Sequence, residues 1–197
     1  MEIVQLFSKV YGEGRPLIIL HGLFGMGDNW TTHAKFFATK GWQVHAVDGR
    51  NHGRSPHHNV HNYDAMAADL EGYISEHNLE NVVLLGHSMG GKTVMNFAVR
   101  KPQLVDAVIV VDIAPKFYPV HHEAYISAMK RVDFTAAKSR RDIEAVLSQT
   151  LTSPGIIQFF MKSLHWKTKE ELAWRFNLDV LERELSNVGE ALKYGYF

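Results

Sequence analysis

One segment constrains the fold of this 197-residue chain more than any other: Val82-Val83-Leu84-Leu85-Gly86-His87-Ser88-Met89-Gly90-Gly91. Its four leading apolar residues lack polar alternation and read as a buried strand. The helical pattern from Met89 to Lys101, stopped by Pro102, reads as the helix that follows. A chain that passes from buried strand to helix within so few residues must turn sharply. With serine at the apex in the φ > 0 region, such a turn closes only when the residues two before and two after it are small. Gly86 and Gly90 stand at those places. The serine Oγ is then exposed at a sheet edge, next to helix N-terminal N–H groups that favour negative charge on a reacting oxygen. Ser88 is the expected nucleophile.

Three further apolar runs, Leu17 to Leu20, Gln43 to Val47 and Ala107 to Val111, also read as buried strands. Helical patterns lie between strands at Asp28 to Lys40 and Asp64 to His77. Strand, helix and strand in this rhythm give right-handed βαβ units and a mostly parallel sheet flanked by helices. Ile3 to Tyr11, closed by Gly12-Glu13-Gly14, is expected to add an antiparallel strand at one edge. After Ala114 the pattern is read as helical throughout: Glu123 to Val132, a helix from Ser139 with Asp142 three residues on, another from Thr168 with Glu171 three residues on, and Leu178 to Leu192. No strand is expected after this helical cap, although such an insert usually returns to its sheet.

Composition narrows the choice of partner and chemistry. Lys+Arg and Asp+Glu both number 21, so no net field draws the chain to nucleic acid or to an anionic membrane. No apolar run approaches the roughly 18 residues of a bilayer span, and Met1 to Gly12 lacks the pattern of a signal peptide. The chain has no cysteine, which removes disulfides, thiolate metal sites and a cysteine nucleophile, and a cytoplasmic location is expected. His57-His58-x-x-His61 is read as surface rather than metal site, because it lacks the glutamate of H-E-x-x-H and Pro56 leaves no helix to align the rings.

The loop His21-Gly22-Leu23-Phe24-Gly25 directly follows the strand at Leu17 to Leu20. A backbone N–H from such a loop joins the N–H after the nucleophile to hold a tetrahedral oxyanion, so Leu23 and Met89 are the expected donors. Phe24 is expected to line the acyl pocket. His87 is assigned to the substrate pocket as well, its ring packed against the sheet and facing away from Ser88, badly placed to act as base.

Together HGLFG at His21, DGRNHGRS at Asp48, GHSMGGKT at Gly86, VVDIAP at Val110 and WRFNLD at Trp174 resemble the YbfF-type esterases of the α/β-hydrolase superfamily. The resemblance covers nearly the whole chain. It implies an α/β-hydrolase core over residues 1–115, a helical cap over 116–192 and the start of a return to the core at 193–197. It also implies a cofactor-free carboxylic ester hydrolase for small or medium acyl substrates, with the loop at Asp48 mainly structural. The YbfF-like enzymes carry the triad acid after the strand that follows the nucleophile helix, which makes Asp112 the acid here. Asp112 stands at the carboxyl end of a parallel strand, on the functional edge of the sheet.

The base is where the chain departs from the pattern. Serine needs a histidine to take its proton, and the chain order in this fold is Ser, Asp, His. Of twelve histidines only His121, His122 and His165 follow Asp112, all within the cap segment, and none matches the family's position. The segment supplying the base is expected to lie beyond Phe197. Two readings follow: a serine esterase, with thioesterase, lactonase and lyase chemistry open to the same serine, or a truncated hydrolase-fold protein that binds acyl ligands without turnover. Dehalogenase and epoxide hydrolase chemistry would need aspartate in place of Ser88. Oligomeric state is left open.

Overall fold

The computed structural model describes residues 2–120, 122–193 and 195. His121 lies outside them, as do Tyr194, Tyr196 and Phe197 of the expected return to the core. The central sheet is built from β1 (Ser8–Tyr11), β2 (Arg15–Leu20), β3 (Trp42–Val47), β4 (Val82–His87) and β5 (Val105–Val111), in the order β1-β3-β2-β4-β5. Only β1, at the edge, runs antiparallel; the other neighbours pair in parallel. Helices α1 (Thr31–Ala38), α2 (Tyr63–Glu76) and α3 (Met89–Arg100) connect the parallel strands.

Side-chain alternation explains why these strands are apolar throughout. Ile18, Leu20, Val82 and Leu84 pack against α2 and α3, while Leu17, Ile19, Val83 and Leu85 face the other layer with Ala34 of α1. Beyond β5 the sheet has no neighbouring strand among the described residues, and Ile109 and Val110 stand exposed there. No helix of the described residues is long and apolar enough to cross a membrane.

The cap holds α4 (Glu123–Lys130), α5 (Arg140–Leu147), α6 (Pro154–Lys162), β6 (Leu164–Trp166), β7 (Leu172–Trp174), α7 (Leu178–Arg183) and α8 (Leu185–Gly189). Three sequence expectations are corrected here. The helix expected from Thr168 is the turn of the antiparallel hairpin β6–β7: Thr168 Oγ1 accepts the Glu171 N–H at 3.0 Å, and Lys167 N–H donates to Glu171 O at 2.8 Å, closing a loop instead of capping a helix. The expected single helix over Leu178 to Leu192 breaks at Glu184 into α7 and α8 and ends at Gly189. Helix α6, with Pro154 in its first turn, lies where no helix was read. The N-terminal expectations are also trimmed: Gly27–Trp30 is a 3₁₀ turn ahead of α1, and only Ser8–Tyr11 of the first segment pairs as strand.

The cap's last turn is tied to α3. Lys92 of α3 is only 1% exposed, and its ammonium donates to Gly189 O at 3.2 Å and Glu190 O at 2.5 Å, flanked by the rings of Tyr63 and Tyr118. The Tyr63 hydroxyl donates to Val188 O at 2.7 Å, and Tyr118 N–H to Gly189 O at 2.9 Å. Carbonyls at a helix C-terminus have no intrahelical donor, so a cation there satisfies them and the helix dipole together.

Candidate active site

Strand β4 ends at His87 and α3 begins at Met89, leaving Ser88 alone between them with φ 51° and ψ −116°. A residue with a Cβ in the left-handed region costs about 1–2 kcal/mol. Main-chain bonds on both sides hold it there: Ser88 N–H donates to Val111 O at 3.0 Å, and Lys92 N–H to Ser88 O at 3.1 Å. A Cβ on Gly86 would lie 2.2 Å from Gly90 O, and one on Gly90 would lie 2.4 Å from Leu20 O, so neither position has room for a larger residue. The Ser88–Val111 bond also sets Asp112, the next residue along, beside the elbow. Asp112 is exposed and likewise adopts a positive φ, of 57°.

The loop after β2 forms a turn closed by Gly25 N–H on Gly22 O at 2.9 Å, with Phe24 at φ 62°. Phe24 N–H donates to His52 Nε2 at 3.1 Å. The N–H groups of Leu23 and Met89 have no acceptor among the described residues. His87 is half-buried, and a Cβ on Gly22 would lie 2.9 Å from its Nδ1. Its ring faces the loop after β2 and Trp30, at 6.3 Å between centroids, rather than the sheet.

Two clefts meet at Ser88, Asp112 and His122. The larger, of about 740 Å³, is walled by Phe24, Trp30, Tyr125, Ile156, Phe159 and Phe160, and His87 also borders it. The smaller, of about 210 Å³, lies toward Met89, Tyr63, Ile113 and Val188. The sequence reading missed Tyr125 and the α6 residues of this wall, although Ser153-Pro154 before Ile156-Ile157 and Phe159-Phe160 carries a helix start followed by apolar residues. Of the cap histidines described, His122 reaches the clefts and His165 lies in β6.

Beneath the rim, the loop after β3 is a hydrogen-bonded frame. Asp48 Oδ1 accepts the Gly27 N–H at 2.6 Å, and Oδ2 the Arg54 N–H at 2.8 Å. Arg50 pairs with Asp69 through two bonds of 2.6 and 2.7 Å, both side chains fully buried. Asn51 O accepts the Asn177 N–H at 2.9 Å, which joins the Trp174-to-Asp179 segment to this loop. His57 is exposed, but His61 is interior, packed against His52 at 5.6 Å between ring centroids. The surface reading of His61 is thereby corrected: its ring fills the space under the loop.

Burial holds several histidines neutral. Desolvation, with the Arg50 charge nearby, lowers His61 to about 3, and desolvation with His77 lowers His45 to about 4. His52 lies well below its usual value for the same first cause. A depressed histidine pKa means that the unfolded chain binds more protons between the two values. The stabilisation is therefore complete above about 6.5 and is lost as pH falls below it, by up to about 1.4 kcal/mol per pH unit for each such histidine. We expect the midpoint of urea unfolding to drop clearly between pH 7.0 and pH 5.5. An unchanged midpoint would show that these rings are already solvated in the folded state.

The geometry has clear counterparts among known proteins. A model described as the alpha/beta hydrolase fold matches residues 15–194. The sn-1-specific diacylglycerol lipase ABHD11 of Danio rerio is 37% identical over 184 residues, covering 90% of this chain and 58% of that protein. Esterase YbfF of Escherichia coli is 36% identical over 167 residues, covering 84% of this chain and 63% of that protein. A solved marine microorganism esterase superposes with a TM-score of 0.94 at 40% identity, covering 98% of this chain and 76% of that one. The chain thus spans about three-fifths of the length of these curated relatives.

Proposed function

This chain belongs to the alpha/beta hydrolase fold family, and we propose that it is the greater part of a carboxylic ester hydrolase that works through an acyl-enzyme on Ser88. The observation that carries this reading is the elbow itself: a serine held at φ 51° between strand and helix, opening onto an aromatic-walled cleft of about 740 Å³. In the proposed reaction the Ser88 Oγ attacks the ester carbonyl carbon, and its proton passes by way of a histidine to the departing alkoxide. Leu23 and Met89 N–H groups receive the charge on the carbonyl oxygen, which their lack of an acceptor among the described residues supports. Asp112 is the acid that orients the histidine, and Phe24 and His87 border the acyl group. Water then releases the carboxylate and restores the serine. The names of the relatives, esterase and lipase, agree with ester substrates, and the cleft volume suits small or medium acyl groups.

A second reading, acyl-ligand binding without turnover, draws on one observation: Phe24, Trp30, Tyr125, Phe159 and Phe160 wall the cleft at Ser88 with apolar surface that can hold an acyl chain without a base. One experiment separates the two. The complete polypeptide is exposed to a fluorophosphonate and then assayed on p-nitrophenyl esters of two to twelve carbons. The hydrolase reading expects labelling that maps to Ser88 and turnover that peaks within the series. Saturable binding of the same acyl chains with neither labelling nor turnover would establish the second reading.

A further inference from the structure

Two buried histidines cross between the loops beneath the elbow, and each does to the opposite loop what the other does in return. His21, at the end of β2, accepts the Gly49 N–H on Nε2 at 2.9 Å; His52, in the loop after β3, accepts the Phe24 N–H on Nε2 at 3.1 Å. The remaining nitrogen of each ring donates to its own loop, Nδ1–H of His21 to Gly22 O at 2.8 Å and Nδ1–H of His52 to Arg50 O at 2.9 Å. Every ring nitrogen is thus committed, and the tautomers follow from geometry: an Nε2 that accepts a backbone N–H carries no proton. The rings are 5.0 Å apart, with 2% and 0% of their residues exposed.

We propose that His21 and His52 are a reciprocal pair of positioning residues that fix the Gly22-to-Gly25 turn and hold the Leu23 N–H in place as a donor for an oxyanion. The inference rests on the reading of Ser88 as nucleophile. Gly25 N–H is spent on Gly22 O and Phe24 N–H on His52, which leaves the N–H groups of Gly22 and Leu23 without an acceptor among the described residues, Leu23 being the one the Phe24 anchor orients directly. Phe24 also sits at φ 62°, a conformation that an aromatic residue keeps only when its surroundings impose it. The bond from its own N–H to His52 is such a constraint, applied to the peptide that joins Leu23 to Phe24.

Neutral rings are essential to this arrangement, because a protonated Nε2 would set N–H against N–H. The titratable groups facing His21 are Asp48, His87 and His52, and those facing His52 are His21, His61 and His57; burial outweighs them all and keeps both rings below their usual pKa. His21 lines the cleft, yet with all four ring nitrogens bonded to main chain neither ring is free to carry a proton. Both act through the main chain of the loop.

The test compares His52→Phe with His52→Gln in the complete polypeptide. Phenylalanine keeps the ring but not the acceptor; the glutamine Oε1 can stand near the place of Nε2. On p-nitrophenyl butyrate, His52→Phe should lower kcat about 100-fold, the scale of a lost oxyanion donor, with KM within about threefold of wild type. His52→Gln should recover most of that loss. Wild-type kcat in a folded His52→Phe protein would overturn the assignment, as would a glutamine variant no faster than the phenylalanine one. If His52→Phe does not fold, or if the parent shows no Ser88-dependent turnover, ¹⁵N spectra of the wild-type imidazoles at pH 7.5 decide. Both rings are expected as Nδ1–H tautomers with a slowly exchanging Phe24 amide, whereas an Nε2–H tautomer at His52 or a fast Phe24 amide refutes the pair. Loss of Ser88-dependent turnover with these spectra intact would count against the nucleophile alone.

Discussion

Replacing Ser88 by alanine should lower ester turnover of the complete polypeptide by about 10⁶-fold, the scale on which a serine nucleophile's loss is felt when the rest of its site is retained. The fold should survive. Alanine is smaller than serine, meets the same left-handed φ of 51°, and keeps the two main-chain bonds, to Val111 O and from Lys92 N–H, that pin the residue. What disappears is the atom that attacks. The measurement is kcat on a p-nitrophenyl ester together with fluorophosphonate labelling, and circular dichroism to show an intact fold. Labelling of the alanine variant at the parental rate would sink the nucleophile assignment.

Asp112→Asn should cut kcat by about 10⁴-fold, because a histidine whose partner no longer accepts its Nδ1–H loses the tautomer it needs as a base. The backbone makes this substitution informative. Asp112 sits at φ 57°, a region where asparagine is as much at home as aspartate, so the change removes the charge without straining the chain. Thermal stability should stay within a few degrees of the parent. A kcat within about fivefold of wild type would move the acid to another position.

The sheet and its elbow were legible because their residues answer to local rules. Buried parallel strands must be apolar throughout, and a sharp strand-to-helix turn needs glycine where Gly86 and Gly90 stand, since a Cβ there would meet main-chain oxygen at 2.2 and 2.4 Å. The cap was harder. Ser139 with Asp142 and Thr168 with Glu171 carry the same spacing, yet the first caps α5 and the second closes the β6–β7 hairpin. The difference lies outside the four residues, in Leu164 with Trp166 and Leu172 with Trp174, whose period of two suits paired strands. Helix α6 escaped because Gln158 is the single polar residue from Ile156 to Met161, too little to show a helical polar face, although Ser153-Pro154 marks its start. The histidine frame was illegible for another reason. In sequence His61 looks like a solvated loop residue and His52 only like part of a structural turn, and only the closure of two loops far apart in the chain shows that they are buried and hydrogen-bonded or packed ring on ring.

The tie between α3 and the cap has a consequence for how such a chain can change over generations. Lys92 and Tyr63 grip Gly189, Glu190 and Val188 by their carbonyl oxygens, and every residue type carries a carbonyl. The grip is therefore blind to side-chain identity on the cap's side and strict on the core's. Side chains of the cap's last turn can drift, and reshape the smaller cleft as they do, while the attachment persists. Gly189 is the exception: a Cβ there would come within 2.5 Å of Tyr118 O, so this one position cannot drift without displacing the Tyr118 segment from the turn whose carbonyls Lys92 holds.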